Sequence, residues 1–230
     1  MSGGTTVVLD YGAGNLKSVE NALRFLGARY RVTSRPAELQ DAEGLIFPGV
    51  GEAAASMAVL KRTGLDQGLR DFLLSGRKIL GICIGCQVIF DRSEERDTGC
   101  LGLIPGTVRR FPRDLGVKVP HMGWNTVHFT REHPVFSGIP QDSSFYFVHS
   151  YYPEPAEDAV VAGRTDYGLS FASCIAWRNL VAFQFHLEKS GPLGLKLLSN
   201  FLSWKGGDVS SVAEANATEH PGRGAVAHAQ

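Results

Sequence analysis

The sequence predicts an open α/β fold: a mainly parallel sheet with helices on both faces and an antiparallel extension. Two short apolar runs, residues 44–47 and 79–82, predict strands buried on both faces, which is typical of parallel sheets. Helix-forming segments alternate with these runs. In the middle third of the chain, shorter alternating segments such as residues 144–149 predict antiparallel strands instead.

The individual elements follow from periodicity and from the glycines that end them. Residues 5–10 predict a first strand, and Leu16, Val19 and Leu23 lie on one face of the helix after it, which ends at Gly27. The later predicted elements are helices at 52–60 and 65–74, β segments at 102–111 and 125–129, a hairpin of 170–177 with 179–186 around Arg178, and a last helix at about 191–204.

Composition indicates one globular domain followed by a polar end. The 230 residues are 43% hydrophobic and 20% charged, which is enough for a sizeable core, and no internal linker divides them. We therefore expect one domain over residues 1–204. Residues 205–230 are rich in Gly, Ala, Ser, Glu and His without periodicity, which predicts a disordered tail.

Charge and cysteine usage narrow the class of protein further. Lys plus Arg and Asp plus Glu number 23 each, so the net charge supplies no field that would attract nucleic acid or an anionic membrane. The four cysteines show no repeating spacing, no apolar run approaches a membrane span of roughly 18 residues, and the first residues lack the features of a signal peptide. These features predict a cytoplasmic protein with neither a nucleic-acid nor a membrane partner.

The most informative stretch surrounds Cys83. This cysteine lies where the strand at 79–82 gives way to a helix, and Gly81 and Gly85 on either side permit a tight turn. That is the arrangement of a nucleophile elbow with cysteine in place of serine. The positive end of the helix favours a thiolate there, and the amide of Ile84 is free to bind an oxyanion.

Other interpretations of the same residues remain open at this point. A cysteine between glycines is often only a small core residue, and Cys83 with Cys86 also forms a Cys-x-x-Cys pair typical of thiol oxidoreductases. We expect no metal, because Cys100 and Cys174 do not form the second close pair that a zinc site needs.

No cofactor is expected either. Gly12 and Gly14 follow the first strand as in a dinucleotide-binding fingerprint, but the third glycine position is occupied by Lys17.

A second motif supplies partners for the Cys83 thiol. The strand before His186 delivers His186 and Glu188 at its carboxyl end, the edge where open α/β sheets place their sites. Cysteine, histidine and carboxylate can act as nucleophile, general base and orienting group of an acyl-transfer triad. The loop Pro48-Gly49-Val50-Gly51 can add a second oxyanion amide, because two glycines let a peptide reorient at little steric cost.

Taken together, these motifs resemble those of the class I, or triad, glutamine amidotransferases, which have a flavodoxin-like fold. The motifs shared with the whole class are Gly81-x-Cys83-x-Gly85-x-Gln87 and His186-x-Glu188. Within the class, the chain closely resembles the glutaminase subunits of imidazole glycerol phosphate synthases over residues 5–203. The blocks that single out these subunits are Asp10-Tyr-Gly-Ala-Gly-Asn15, His121-Met-Gly-Trp-Asn125 and Tyr146-Phe-Val-His-Ser-Tyr151.

The resemblance implies roles for individual residues. Cys83, His186 and Glu188 would be the catalytic triad, and the backbone of Val50, Gly51 and Ile84 would form the oxyanion hole. The residues implied to bind glutamine are Gly49, Gln87 and Glu95, with Ser150 and Tyr151 at its α-carboxylate end. The residues implied to face a partner are Asn15, Trp124, Tyr146 and Lys189.

The resemblance also implies an activity and a partner. The chain would hydrolyse glutamine to glutamate through a thioester on Cys83 and pass the ammonia to a (β/α)₈-barrel cyclase subunit in a heterodimer. That cyclase would form imidazole glycerol phosphate and an aminoimidazole carboxamide ribonucleotide. The alternatives are a glutaminase serving another synthase, of the pyridoxal phosphate or anthranilate type, a thiol oxidoreductase using Cys83 and Cys86, or a catalytically dead binding subunit.

Two positions depart from the family pattern. Leu187 replaces a proline between histidine and glutamate, which predicts a looser backbone at the triad. Cys86 replaces a methionine close to the nucleophile, and we hypothesise that this second thiol makes the enzyme sensitive to oxidation.

Overall fold

The architecture is seen in a computed structural model that describes residues 5–12 and 16–207. Its strands are β1 (Thr6–Leu9), β2 (Tyr30–Thr33), β3 (Gly44–Phe47), β4 (Lys78–Ile82), β5 (Arg92–Ser93), β6 (Thr98–Gly99), β7 (Gly106–Arg110), β8 (His121–Phe129), β9 (Ser143–His149), β10 (Tyr151–Pro155), β11 (Val161–Asp166), β12 (Ser170–Trp177) and β13 (Leu180–Phe183). Its α-helices are α1 (Leu16–Phe25), α2 (Ala53–Thr63), α3 (Leu65–Leu74), α4 (Ile84–Gln87) and α5 (Gly191–Ser203).

The main sheet has nine strands in the order β2-β1-β3-β4-β13-β12-β11-β8-β9. The first five run parallel, and every pair from β13 to β9 is antiparallel. The predicted parallel sheet with an antiparallel extension is therefore confirmed. The predicted hairpin around Arg178 is the β12–β13 pair, in which Trp177 lies opposite Leu180.

Helices cover both faces of the parallel half, as predicted. Along β1, Val7 and Leu9 join one buried cluster with residues of α2 and α3, whereas Val8 joins a second cluster with residues of α1 and α5. Successive side chains of a strand point to opposite faces, so a strand that is apolar throughout needs cover on both. This explains the continuous apolar runs in the sequence.

A second sheet was not predicted from the sequence. It has four strands in the order β10-β7-β5-β6, and β5 and β6 have two residues each. Strands this short leave no periodic pattern, because alternation needs at least about four residues to be visible. The sheet matters because Tyr151 begins β10 and Glu95 follows β5, and both residues reach the edge where β4 ends.

Some element ends differ from the sequence predictions. Strand β4 begins at Lys78, one residue early, because Lys78 already pairs with Gly44 of β3. The buried Lys78 Nζ donates to the carbonyl oxygens of Leu202 and Trp204 at 2.6 Å each. Strand β13 ends at Phe183, three residues before His186. Most of the predicted disordered tail, from residue 208 on, lies outside the described residues. Within residues 5–12 and 16–207, no helix is long and apolar enough to cross a membrane.

Candidate active site

Cys83 lies on a sharp, strained turn between β4 and α4. Its backbone has φ 55° and ψ −105°, in a region that residues with a side chain rarely adopt. Glycine is required on both sides. A Cβ at Gly85 would overlap the carbonyl oxygen of Phe47, and one at Gly81 would lie 2.8 Å from the carbonyl oxygen of Gly85. The elbow geometry predicted for this stretch is thus present, and Cys83 is only 5% exposed.

The neighbouring strand brings the second motif to the elbow. Strand β13 lies parallel beside β4 with Phe183 opposite Ile82, and the Cys83 amide donates to the Phe183 carbonyl at 2.8 Å. Because parallel strands end at the same edge, the residues after Phe183 emerge next to Cys83. Gln184 is the first of them, and its Nε2 lies 3.9 Å from Cys83 Sγ.

His186 and Glu188 form a buried pair beside Cys83. His186 Nδ1 lies 2.7 Å from Glu188 Oε1, and their side chains are 1% and 2% exposed. A 3₁₀ turn, Leu187–Lys189, folds the glutamate back onto the imidazole. Because His186 Nδ1 donates to Glu188, Nε2 is the ring nitrogen that could exchange a proton with another group. It has no hydrogen-bond partner of normal geometry among the described residues.

The charge on His186 is controlled by these two neighbours. Burial by itself would lower the pKa of the imidazole, but the adjacent Cys83 and then Glu188 outweigh it and raise the pKa to about 10. The cationic form of His186 is therefore favoured when negative charge lies on both sides. Cysteine, histidine and glutamate, distant in the sequence, are brought together here.

The backbone of the His186 turn is held without the proline of the family pattern. Leu187 is 1% exposed and packs in the apolar core. Ser190 Oγ donates to the His186 carbonyl at 2.6 Å and accepts from the Tyr146 amide at 2.9 Å, and the His186 amide donates to the Tyr146 carbonyl at 3.0 Å. These bonds restrain the turn, and the looser backbone expected from Leu187 stays a prediction.

A cavity of about 260 Å³ opens beside Cys83. Its size suits a single small ligand such as an amino acid, since pockets for larger molecules start at roughly 300 Å³. The cavity is lined by Gly51, Cys83, Ile84, Gln87, Glu95, Pro120, Val148, His149, Ser150 and Tyr151. Most residues that the resemblance implied for substrate and oxyanion are therefore in its wall. Gly49 and Val50 are outside the lining, with Gly49 packed against the Tyr11 hydroxyl.

The polar side chains in the wall are fixed by hydrogen bonds. Gln87 Nε2 donates to the Tyr151 carbonyl at 2.9 Å and to Gln184 Oε1 at 3.0 Å. Both amide hydrogens are thereby used, which leaves the Gln87 oxygen for a ligand that donates. Glu95 Oε2 accepts from the Ala53 amide at 2.6 Å at the start of α2, and burial nevertheless raises the pKa of Glu95.

The residues implied to face a partner form an aromatic and basic surface patch. Trp124 is 58% exposed, its ring lies 6.2 Å from that of Tyr146, and Lys189 Nζ lies 5.9 Å from the Tyr146 ring centre. Met122, two residues before Trp124 on β8, is 63% exposed. Asn15 lies outside the described residues.

Cys86 does not have the properties of a reactive thiol. It is fully buried in the core, and burial raises its pKa well above the ordinary value. Reactive cysteines are accessible and have a lowered pKa. The structure therefore argues against a Cys83–Cys86 redox pair and against our hypothesis that Cys86 confers sensitivity to oxidation.

Besides Pro120 and Val148 in the cavity wall, sequence reasoning missed three polar residues at the site. His149 lines the cavity, Gln184 contacts the Cys83 sulfur, and His121 lies 2.9 Å from His149. Gln184 could have been found from its spacing, because it precedes His186 by two and shares its side of the extended chain. In the described part of the chain, no group of three or more His, Cys, Asp or Glu residues could hold a metal ion.

Solved structures of other proteins share this fold. A glutamine amidotransferase from Thermotoga maritima matches with a TM-score of 0.61 at 14% identity, covering 95% of this chain and 87% of that chain. The structure of PurLQS from Thermotoga maritima matches with a TM-score of 0.70 at 18% identity, covering 87% of this chain and 98% of that chain. At these identities the likeness concerns the fold.

Sequence comparison defines the class. The family model for class-I glutamine amidotransferases matches residues 7–204, and the chain belongs to that family. Its similarity is high to proteins named imidazole glycerol phosphate synthase subunit HisH. The one from Dehalococcoides mccartyi is 48% identical over 202 residues, 87% of this chain and 98% of that protein. The one from Nitrosococcus oceani is 48% identical over 206 residues, 88% of this chain and 98% of that protein.

Proposed function

We propose that this chain is the glutaminase subunit of an imidazole glycerol phosphate synthase. It hydrolyses glutamine to glutamate and ammonia and supplies the ammonia to a cyclase subunit. The observation that carries the proposal is the buried His186–Glu188 pair beside Cys83 at an amino-acid-sized cavity, in a chain that matches HisH subunits over nearly their whole length.

The reaction begins with attack of the Cys83 sulfur on the carboxamide carbon of glutamine. His186 takes the thiol proton at Nε2, and the resulting ion pair is stabilised by Glu188 at Nδ1. The raised pKa of His186 means that the imidazolium keeps this proton until a leaving group needs it. Glu188 also fixes the tautomer, so the proton moves only on the side of the nucleophile.

The negative charge that develops on the carboxamide oxygen is bound by backbone amides. Ile84 is the first residue of α4, so its N–H has no partner within the helix. The amides of Val50 and Gly51 lie on the loop after β3, and Gly51 lines the cavity with a φ of 105° that glycine permits. Together they form the oxyanion hole of this proposal.

The remaining cavity residues hold the glutamine. Gln87 offers its oxygen to a donor of the substrate, and Glu95 is a carboxylate suited to the α-ammonium group. Ser150 and Tyr151 are assigned to the α-carboxylate end. Gly49 is assigned to glutamine binding by the family resemblance alone, because it lies outside the cavity lining and packs against the Tyr11 hydroxyl.

Collapse of the first tetrahedral intermediate expels ammonia, which takes a proton from His186. A γ-glutamyl thioester then remains on Cys83, with His186 neutral and able to accept a proton from water. Attack of that water on the thioester carbonyl breaks the carbon–sulfur bond, releases glutamate and restores the thiolate–imidazolium pair.

The partner in this proposal is a (β/α)₈-barrel cyclase that binds as a heterodimer. The exposed patch of Met122, Trp124, Tyr146 and Lys189 supports an interface there, since aromatic and methionine side chains are enriched in interface cores. Asn15 is proposed to belong to the same surface. The cyclase forms imidazole glycerol phosphate and the aminoimidazole carboxamide ribonucleotide with the ammonia it receives.

We also infer a domain over residues 1–204 and a cytoplasmic location. The family match spans residues 7–204, and all four cysteines are free thiols, as expected in a reducing compartment. The disorder of residues 205–230 stays a prediction.

The decisive experiment is to treat the chain, in complex with its cyclase, with a glutamine-like electrophile such as a diazo-oxo analogue. We expect one equivalent to attach to Cys83 and abolish glutamate release. Labelling at another residue, or full glutamate release by a Cys83→Ala variant, would refute the proposal.

A further inference from the structure

A chain of buried hydrogen bonds begins on strand β8. Asn125 Nδ2 lies 3.3 Å from His121 Nε2, and His121 Nδ1 lies 2.9 Å from His149 Nε2. His149 Nδ1 in turn lies 2.8 Å from the carbonyl oxygen of Tyr151. His121 and His149 are 3% and 5% exposed, so water does not compete for these bonds.

The direction of every bond in this chain can be derived. The Tyr151 carbonyl can only accept, so His149 carries its proton on Nδ1, and Nε2 of a neutral His149 must accept. His121 therefore donates from Nδ1, and its Nε2 accepts from the Asn125 amide. The second Asn125 hydrogen is used by the Asp166 carbonyl at 2.9 Å.

Both histidines are neutral, as this arrangement requires. Burial lowers the pKa of His121 to about 4. Burial lowers the pKa of His149 to about 3; the Tyr151 carbonyl opposes this shift, and His121 and His186 add to it. Stacking of the His121 ring on Tyr167, with centroids 3.9 Å apart, fixes the plane in which it donates.

The series of hydrogen bonds continues from Tyr151 to Cys83. The Tyr151 carbonyl also accepts from Gln87 Nε2, whose other hydrogen goes to Gln184 Oε1 at 3.0 Å. Gln184 is fully buried, and its Nε2 is directed at Cys83 Sγ at 3.9 Å. An amide hydrogen pointing at sulfur stabilises a thiolate more than a thiol, since hydrogen bonds to charged acceptors are the stronger ones.

We propose that this chain from Asn125 to Cys83 positions both the nucleophile and the wall of the glutamine cavity, with His121, His149 and Gln184 as positioning residues. The inference rests on the proposed glutaminase function. Gln184 holds the thiolate, while His121 and His149 hold the Tyr151 carbonyl and through it the Gln87 amide. This series of hydrogen bonds starts on β8, and the opposite side of β8 exposes Met122 and Trp124. A partner bound at Met122 and Trp124 would therefore contact the same strand.

The test compares variants of the protein in complex with its cyclase. Gln184→Met and His121→Phe remove donors while keeping similar shape, and Asn125→Leu is a milder change at the half-buried start of the hydrogen-bond chain. His133→Phe is the control, because His133 is a half-buried histidine that, like His121, packs on aromatic rings, here those of Phe136 and Trp204, away from the cavity. For each variant we measure the alkylation rate of Cys83 by iodoacetamide, kcat and KM for glutamine, and the unfolding midpoint.

For Gln184→Met we expect Cys83 alkylation and kcat to fall about tenfold with KM changed less, the size of a lost hydrogen bond to a charged group. For His121→Phe we expect KM to rise about fivefold, and for Asn125→Leu about twofold, because a neutral bond is lost at the cavity wall. His133→Phe should change only the unfolding midpoint.

The inference would be overturned if the three test variants matched the His133→Phe control in alkylation rate, kcat and KM. Losses of activity that simply track the unfolding midpoint across all four variants would overturn it too. If the wild-type complex releases no glutamate, the proposed function fails, and the alkylation rates still decide whether Gln184 holds the Cys83 thiolate.

Discussion

Glu188 extends the pH range over which its neighbour His186 stays protonated. The carboxylate accepts from His186 Nδ1 at 2.7 Å and, after Cys83, is the main cause of the raised pKa of the imidazole. In the proposed mechanism the cationic imidazole of His186 is the proton donor for ammonia, so we expect activity to be lost as pH rises through that pKa of about 10.

Replacing Glu188 by Gln removes a negative charge and allows the wrong imidazole tautomer. We expect kcat to fall at least about a hundredfold and the alkaline limb of the kcat/KM profile to move to lower pH. The matched control is Glu132→Gln at an exposed carboxylate. A Glu188→Gln profile with an unmoved alkaline limb would contradict the role given to this carboxylate.

Gly85 makes the elbow possible through close packing. A Cβ at Gly85 would lie 1.9 Å from the Phe47 carbonyl oxygen, so Gly85→Ala must displace either α4 or β3. We expect the free energy of unfolding to fall by about 1–3 kcal/mol, as for other overpacked sites, with loss of Cys83 labelling. Gly99→Ala is the control, because no described residue other than its chain neighbours comes within 4 Å of the Cβ position there. Equal stability of the two variants in chemical denaturation would show that the elbow tolerates a side chain.

Cys86 lies close to Cys83 in the sequence, but we expect burial to keep its thiol unreactive. It is fully buried with a raised pKa, so we expect wild type and Cys86→Met to be inactivated by peroxide at the same rate. Slower inactivation of Cys86→Met would restore the oxidation hypothesis that the sequence suggested.

Among the elements, α5 depends on a lysine from another part of the chain. Lys78 at the start of β4 donates to the carbonyls of Leu202 and Trp204 at the end of α5, and its Nζ lies 5.4 Å from the Phe201 ring centre. Burial lowers the pKa of Lys78, and the charge of Glu43 only partly opposes this shift. The lysine therefore stays in an apolar site because it caps the helix.

Lys78→Met should lower the free energy of unfolding by about 1–3 kcal/mol, the cost of leaving buried carbonyls without a donor. Lys196→Met changes an exposed lysine of the same helix and should be neutral within about 0.5 kcal/mol. Denaturant titration of both variants gives the comparison. A loss for Lys196→Met as large as that for Lys78→Met would mean that capping is not the cause.

For the whole molecule, we predict that cyclase binding and thiol chemistry depend on separate residues: the exposed patch around Trp124 for binding, and buried Cys83, His186 and Glu188 for the chemistry. Trp124→Ala should weaken cyclase binding at least about tenfold, in the range of interface hot spots, and leave the labelling of Cys83 in the isolated chain unchanged. Leu74→Ala removes another exposed apolar side chain, 55% exposed at the end of α3, and serves as the control. Unchanged cyclase affinity of Trp124→Ala in a titration would place the interface elsewhere.

Much of this molecule could be predicted before its structure was seen. The runs at 44–47 and 79–82, the helix at 65–74 and the hairpin at Arg178 were readable because each is long or apolar enough to show its period. Two motifs could be recognised because their spacing fits a chemical role: Cys83 between two glycines, and His186 two residues before Glu188. Strands β5 and β6 were not, because two residues carry no period.

Residue type and local spacing were sufficient to predict the class of fold, the proposed nucleophile Cys83 and its two proposed partners, His186 and Glu188. The other side chains that meet Cys83 could be identified only from the way the strands pair. Gln184 reaches the sulfur because β13 lies beside β4, and His121 reaches His149 because β8 pairs with β9. Contacts of this kind depend on strand pairing and register across long separations, which no local pattern of residues records.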